Sequence, residues 1–537
     1  MGGRAEADCN GKGFGHMREP KRSSGGRINA IAAKVRRSID GEGLKARVLR
    51  GGALMGAGSA VEQGLRFIRN IILTRLLMPE ALGIMTIILA VNAALEALTD
   101  VGLREAIVQH PHADTKPFLN AAWWFAICRG IALFALGYVF APALVQFYHI
   151  PQVCHLMTLS FSAILFNGAM STRAFILLKE MRYGRWVEIM QGAALGGVGI
   201  TIALVLLLRD VRALVYGYMA EAVLRCALSY IICPFKPGLE FEKNQTREIF
   251  RFARGMVGSP FLTFLFLQAD IFVLGKMVNK HDLGLYSMAS SFSGVPALLI
   301  SIFVNPILMP AFAQIRNQYE RINNALLKAT ATMSFVGFPL CMWVALFGPG
   351  LMGTVYGPSY ASVGHVFAIL FCATVLRTMA SPISAVYLSL GQPGLNRIFT
   401  AIRTCIVVVI IYPSVVVFGL KGAAAAGALA MIFAWVIQVR RMRILTRLAM
   451  KSYWSSVIAG SLSAGIVGGV GVAVIAAGGN TLSALCVVGL VSVVLAVAGA
   501  VSTLRDFYAP RRAVQENASG YEKPRPVVSN HHETLDI

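Results

Sequence analysis

Charge is scarce in this chain. Only 14% of its 537 residues are Asp, Glu, Lys or Arg, against about 25% in soluble domains. With 56% of residues hydrophobic, a soluble fold would lack the polar side chains to cover its surface. Acid is scarcer than base: 26 Asp and Glu stand against 49 Lys and Arg, a formal net charge of +23. Such a balance suggests nucleic acid in a soluble protein, but no basic patch interleaved with aromatics occurs in a soluble segment, so no nucleic-acid partner is expected. Paired cysteines are missing as well. The nine cysteines, Cys9, Cys128, Cys154, Cys226, Cys233, Cys341, Cys372, Cys405 and Cys486, form no C-x-x-C and sit mostly in apolar runs. Metal and disulfide chemistry are therefore unsupported, small buried hydrophobes are the better description, and neither a metal nor a cofactor is expected.

What the chain does have is long apolar runs. They cover 50–76, 81–101, 119–141, 153–176, 187–208, 213–234, 249–275, 284–312, 326–347, 361–389, 398–418, 422–439, 455–478 and 482–504. Each is long enough to cross a bilayer as a helix, and a helix satisfies its own backbone in lipid. None shows the roughly ten-residue alternation of a barrel strand. The expectation is an all-α polytopic membrane protein with about fourteen transmembrane helices.

Basic residues orient these runs. If every run crosses once, 38 of the 49 Lys and Arg fall on one side, six on the other (Arg75, Arg209, Arg212, Lys276, Lys280 and Lys421), and five within spans. The side rich in Lys and Arg is cytoplasmic, so both termini are expected in the cytoplasm. The first fifty residues carry twelve Lys or Arg, a basic stretch too long for a secretory signal. Residues 1–27 are expected to be disordered. Ile28, Ile31, Val35 and Ile39 have helical spacing, which suits either a helix on the inner leaflet or a solvated basic tail.

Four residues repeat at one offset. Leu73, Arg75, Leu82 and Gly83 recur 201 positions later as Leu274, Lys276, Leu283 and Gly284. Both sets mark a short outer hairpin at the same place in two six-helix halves. Parallel halves related by an axis along the membrane normal are a transporter design. The expected organisation is a basic cytoplasmic tail (1–48), a six-helix N lobe (49–234), a six-helix C lobe (235–445), an appended helix pair (446–506) and a polar cytoplasmic tail (507–537).

Ionisable groups inside lipid are costly and ask for a reason. The spans hold Glu62, Arg66 and Arg69 on one helical face, then Glu96, Arg129, Glu221, Arg225, Asp270 and Arg377. Gln63, Gln191, Gln268 and Asn305 are polar neighbours. One reading is a water-filled cavity in which Arg66, Arg69, Arg129, Arg225 and Arg377 receive an anion, because the guanidinium fork donates two hydrogen bonds to a phosphate. The other is structural: Glu62–Arg66 and Glu221–Arg225 are i,i+4 pairs in the favoured order, and Arg129 and Arg377 have helix ends to pack against. Asp270 suits either a cation or proton site or a pair with an arginine of the other lobe. Pro296, Pro306 and Pro310 mark a kinked eighth span.

Three segments carry a family likeness. "ILTRLLMPEALGIMTIILAVNAALEALTDVGLREAIVQ" (72–109), "QADIFVLGKMVNKHDLGLYSMASSFSGVPALLISIFVNPILMPAFAQI" (268–315) and "YLSLGQPGLNRI" (387–398) resemble bacterial polysaccharide-export flippases of the Wzx type, in the multidrug/oligosaccharidyl-lipid/polysaccharide exporter superfamily. The resemblance runs from about 50 to 450; the long basic start departs from it, and Met17 is a second candidate start. It implies a flippase that moves undecaprenyl-diphosphate-linked oligosaccharide units from the cytoplasmic to the periplasmic leaflet by alternating access between lobes. It further implies membrane lipid, a polysaccharide polymerase and export machinery as partners. Arg75, Lys276 and Asp270 fall in the matched segments, so with Glu62, Glu96 and Glu221 they are candidates for coupling or gating. A drug exporter of the same superfamily expects twelve spans. A membrane glycosyltransferase or polymerase needs a catalytic loop, and here the outer loops are short and carry no acidic motif for a metal-bound sugar nucleotide.

Overall fold

A computed structural model describes residues 44–99, 102–111, 113–238, 259–295, 297, 312–476 and 487–494. Among the described residues every regular element is a helix. In chain order they are α1 (Leu44–Leu76), α2 (Pro79–Leu98), α3 (Leu103–Gln109), α4 (Lys116–Phe147), α5 (Cys154–Ser160), α6 (Ser162–Gly168), α7 (Arg173–Lys179), α8 (Tyr183–Leu208) and α9 (Val211–Ile232). There follow α10 (Ser259–Met277), α11 (Lys280–Ser293), α12 (Tyr319–Tyr356), α13 (Gly364–Met379), α14 (Ser381–Ser389), α15 (Pro393–Thr446) and α16 (Met450–Ala476). Residues 487–494 are also helical.

Nine of the described helical stretches are long and apolar enough to cross a membrane, or ten if the bent pair Pro151–Gly168 and Arg173–Lys179 is one span. The full set of fourteen is not reached for local reasons. The runs 249–275, 284–312 and 482–504 extend beyond the described residues, as do Pro296, Pro306, Pro310, Asn305 and the 28–39 stripe. The first helix, with Glu62, Arg66 and Arg69, is not among the nine. The fifteenth counts once, although its 54 residues would reach about 81 Å at 1.5 Å per residue, more than twice a hydrocarbon core of ~30 Å. Its backbone leaves the helical region at Gly419 (φ 56, ψ −133), and Gly422 lies directly against the Ser414 carbonyl. The chain turns back there, between the two runs read at 398–418 and 422–439. A positive φ is the reason for glycine at 419.

The bent fourth run shows how a break is tolerated at this depth. Between α6 and α7 the Ser171 N–H donates to Ser229 Oγ (3.0 Å), and Tyr230 O–H and Trp123 Nε1–H both donate to the Ala169 carbonyl (2.8 and 3.3 Å). Backbone groups freed from the helix thus find partners on neighbouring spans.

In the N-terminal half, α8 packs on α1 and α9; in the C-terminal half, α15 packs on α10 and α13, and α12 on α13. The halves meet chiefly where α2 lies against α10 and α11. The appended α16 lies along α12, close enough that Gly460 touches the Ser334 backbone, and Trp435 Nε1–H donates to the Tyr453 hydroxyl at 3.0 Å.

Candidate functional site

A cavity of about 290 Å³ lies in the N-terminal half, lined by α1, α2, α6, α8 and α9, with Met288 of α11 as the contribution of the other half. Its charged lining is Arg66, Arg69, Arg225, Glu96 and Glu221. The helical spacing of Arg66 and Arg69 on α1 and of Glu221 and Arg225 on α9 aims them at one space. Gly197 lets α8 lie against α9 at that level, because any Cβ there would run into Glu221.

Glu221 is the hub. It is 7% exposed and accepts from Arg225 Nη2 at 2.7 Å and from Arg66 Nη2 at 3.0 Å. Arg66 Nε donates to Glu62 at 3.1 Å, and the other Glu62 oxygen accepts from Gln191 Nε2 at 3.1 Å. Asn167 joins the second side, donating to Glu96 at 3.3 Å and accepting from Arg225 Nη1 at 3.5 Å. So the two local i,i+4 pairs exist, but Glu221 fuses them into one network across α1 and α9.

Counted with Glu62, three arginines face three glutamates, so net charge alone does not make this an anion site. Direction does. Among the described residues Arg69 donates only to its neighbour Asn70 at 3.3 Å, and the Nε–H groups of Arg69 and Arg225 are buried without an acceptor. A buried donor left open costs about 1–3 kcal/mol, so these groups are available to an incoming acceptor. A phosphate, with several acceptor oxygens, fits.

The remaining expected residues lie elsewhere. Arg129 donates to the Thr99 carbonyl at the end of α2 (3.0 Å) and does not line the cavity. Asp270 accepts from the fully buried Tyr286 hydroxyl at 2.7 Å and from the Ile271 N–H at 2.9 Å, and among the described residues no arginine of the other half is bonded to it. Arg377 is on α13, away from the cavity, and α13 packs on α15, which carries Arg403. Arg403 lies over the Phe266 ring at 4.4 Å and donates to Thr400 Oγ1 at 3.3 Å, while its Nε–H is buried without an acceptor. An arginine in a span costs ~2.5–3.5 kcal/mol on insertion scales. The cation–π contact offsets up to about 2 kcal/mol and the hydroxyl contact about 1, which roughly balances that cost for Arg403.

Arg75 and Lys276 sit at the hairpin side, where the 201-residue offset becomes geometry. Gly83 of α2 lies on the Lys280 carbonyl, and Gly284 of α11 on the Pro79 carbonyl. The two contacts are the same contact under the repeat, since 79 and 83 become 280 and 284. Neither position has room for a Cβ. Arg75 reaches across to donate to the Thr354 carbonyl in the last turn of α12 (2.9 Å). Lys276 reaches the opposite way to the Phe147 carbonyl at the end of α4 (2.7 Å) and lies 3.0 Å from His149 Nε2. Each cation therefore caps a helix C-terminus of the other half, the favoured end for positive charge. Beside them, Lys280 donates to the Gly275 carbonyl at 2.7 Å, and burial with the Lys276 charge pulls its ammonium below the usual lysine range.

Asn167, Tyr218 and Arg403 were not singled out from the sequence. Asn167 and Tyr218 are lone polar residues in apolar runs, and Arg403 reads as one more cytoplasmic-side cation until α15 carries it into the fold. Among the described residues no cluster of His, Cys, Asp or Glu is placed to hold a metal.

Comparison with known proteins places this architecture. The model of a family described as "Polysaccharide biosynthesis protein" matches residues 72–364, more than half of the chain. The lipopolysaccharide biosynthesis protein WzxC of Escherichia coli (strain K12) is 20% identical over 73% of this chain and 80% of its own length. The succinoglycan biosynthesis transport protein ExoT of Rhizobium meliloti (strain 1021) is 25% identical over 61% of this chain and 66% of its own. Among solved structures, the lipid II flippase MurJ in an inward closed conformation aligns with a TM-score of 0.68 at 12% identity, over 84% of this chain and 98% of that one, which is a likeness of fold. The chain belongs to the polysaccharide biosynthesis protein family, the Wzx-type flippases that its three motif segments resemble.

Proposed function

We propose that this protein is a flippase for undecaprenyl-diphosphate-linked oligosaccharide units. It takes them from the cytoplasmic leaflet of the inner membrane and delivers them to the periplasmic leaflet for exopolysaccharide, capsule or O-antigen assembly. It acts as a transporter rather than as an enzyme. A polymerase and export machinery would take up the product.

The observation that carries the reading is the pair of open guanidinium donors, Arg69 Nε and Arg225 Nε, beside the Glu62–Arg66–Glu221–Arg225 ion-pair network. A diphosphate supplies the missing acceptors, and Met288 brings the C-terminal half to the same space. The seam at Gly83 and Gly284, with Arg75 and Lys276 across it, supports alternating access: it closes the hairpin side while the substrate is held. Release then requires α2 and α11 to part. Tight packing makes such an interface two-state rather than continuously deformable.

The test is genetic and direct. A deletion strain should lose its surface polysaccharide, and Arg66→Ala with Arg69→Ala should fail to restore it at normal membrane abundance. Full complementation by that double variant would remove the cavity from the mechanism.

A further inference from the structure

We propose that the hollow at the junction of α15 and α16 is a binding site for the headgroup of an anionic phospholipid in the leaflet on the basic-loop side. Arg440 and Arg443 take its phosphate, and Ile444 and Met450 take the apolar part next to it. The site is separate from the arginine cavity of the N-terminal half and does not depend on what the protein carries.

The hollow has a volume of about 680 Å³ and is lined by Arg440, Arg443, Ile444 and Met450. That is within the ~300–1,000 Å³ of small-ligand sites. Arg443 and Ile444 follow Arg440 by three and four positions on α15, so the three share one helical face. Met450 is the first residue of α16. Two guanidinium forks suit a phosphate. Ile444 is 69% exposed, so the lining sets an open apolar side chain beside two cations, as a phospholipid sets acyl carbon beside phosphate. The wall is fixed from behind. Asn323 Nδ2–H donates to the Thr446 carbonyl at 2.8 Å, and the Thr446 hydroxyl donates to Asn323 Oδ1 at 2.7 Å. This reciprocal pair ties the end of α15 to α12.

Depth places the hollow at a membrane boundary. Arg440 and Arg443 follow Gly422, at the turn in α15, by eighteen and twenty-one residues. These are about 27 and 32 Å of helix, against a hydrocarbon core of ~30 Å. Trp454, half-buried near the start of α16, is an aromatic of the kind enriched at that boundary. Basic loops gather on the cytoplasmic side whatever their function, but in the N-terminal half several of those cations have protein acids beside them. Arg104 pairs with Glu105 at 2.9 Å, Lys179 with Asp114 at 3.2 Å and Arg182 with Glu180 at 3.5 Å. Around the hollow the neighbouring sequence supplies none. Arg440, Arg441, Arg443, Arg447 and Lys451 fall within twelve residues, and no Asp or Glu occurs between Glu320 and Asp506. An anionic headgroup supplies the missing countercharge at the level where headgroups lie.

The experiment uses the full chain in a neutral detergent at low salt. Phosphatidylglycerol, phosphatidylcholine and sugar-free undecaprenyl diphosphate are titrated separately, and bound lipid is counted by native mass spectrometry. Wild-type protein should bind phosphatidylglycerol at least about tenfold more tightly than phosphatidylcholine, and R440Q–R443Q should lose that margin. R316Q–R397Q removes two exposed cations that do not line the hollow and should stay within about twofold of wild type. Equal loss in the two variants makes the hollow part of a diffuse basic surface and overturns the proposal. Phosphatidylglycerol affinity within about twofold of wild type in R440Q–R443Q overturns it as well. So does a loss confined to undecaprenyl diphosphate, which would make the hollow a cargo site. If the glutamine pair does not fold, I444E decides. It leaves both arginines in place and sets a carboxylate one turn from Arg440, at an exposed position. Phosphatidylglycerol binding should again fall about tenfold or more, and wild-type affinity overturns the proposal.

Discussion

Replacing Glu221 with glutamine perturbs the carboxylate that joins the two local ion pairs. The side chain is 9% exposed and accepts from Arg66 and Arg225. Breaking a fully buried ion pair by removing one partner costs about 3–5 kcal/mol. The value here is smaller, because Arg66 keeps Glu62 at 3.1 Å and the two arginines are 34% and 27% exposed, which admits screening. An expected loss of ~2–3 kcal/mol follows. Glu62→Gln should cost only about 0.5–1 kcal/mol, since Glu62 is 28% exposed and Arg66 retains Glu221. Glu221→Gln with Arg225→Gln should be milder than Glu221→Gln alone, because it removes one of the orphaned charges. Affinity should move the other way. Two of the five charged lining residues are acids, and neutralising one leaves three arginines against a single glutamate, so prenyl diphosphate should bind the Glu221→Gln protein more tightly than wild type. The assay is thermal unfolding of the purified proteins in one detergent, read as a double-mutant cycle, with titration of the lipid phosphate alongside. The reasoning fails if Glu221→Gln is no more harmful than Glu62→Gln, or if the double variant is no milder.

Three further outcomes are expected. Gly83→Val puts side-chain atoms where the Lys280 carbonyl lies, so the seam should open at a cost of about 1–3 kcal/mol, and a cysteine at Met85 should become reactive to an impermeant thiol reagent from the hairpin side. Arg75→Gln with Lys276→Gln removes both cross-half caps, each worth about 0.3–1 kcal/mol, and should raise the same labelling more modestly; unchanged labelling in both variants would show that the seam is not the closure. Tyr286→Phe removes the hydroxyl that donates to the Asp270 carboxylate and should lower stability by ~1–3 kcal/mol, which thermal unfolding reads.

Much of this was legible in the sequence, and the limits have physical causes. Apolar length marks a span because lipid offers the backbone no other partners, so α2, α4, α8 and α9 fall within a few residues of the runs read for them. The bend between α6 and α7 was invisible in the run 153–176, because the hydrogen bonds that permit it come from Trp123, Ser229 and Tyr230 on distant spans. The 201-residue repeat located Gly83 and Gly284 but not their contact; two hairpins with the same four residues need not touch. Spacing on α1 and α9 predicted both local ion pairs. It did not predict that Glu221 would join them, since the crossing of α1, α8 and α9 depends on side-chain volumes such as that of Gly197. Arg403 was hidden by its sequence neighbourhood, where basic residues are expected at the cytoplasmic edge, and the placement of the Phe266 ring against its guanidinium sets it apart.

The claim that matters most is that the N-terminal arginines take the anionic head of a lipid-linked glycan. Reconstituting the full chain in liposomes that carry a fluorescent prenyl-diphosphate oligosaccharide, and following its loss to a reagent on one face, measures this directly. Wild-type protein should move the lipid between leaflets, and Arg69→Gln with Arg225→Gln should slow the movement at least about tenfold while leaving the protein folded. Movement at the wild-type rate in that variant would contradict the account.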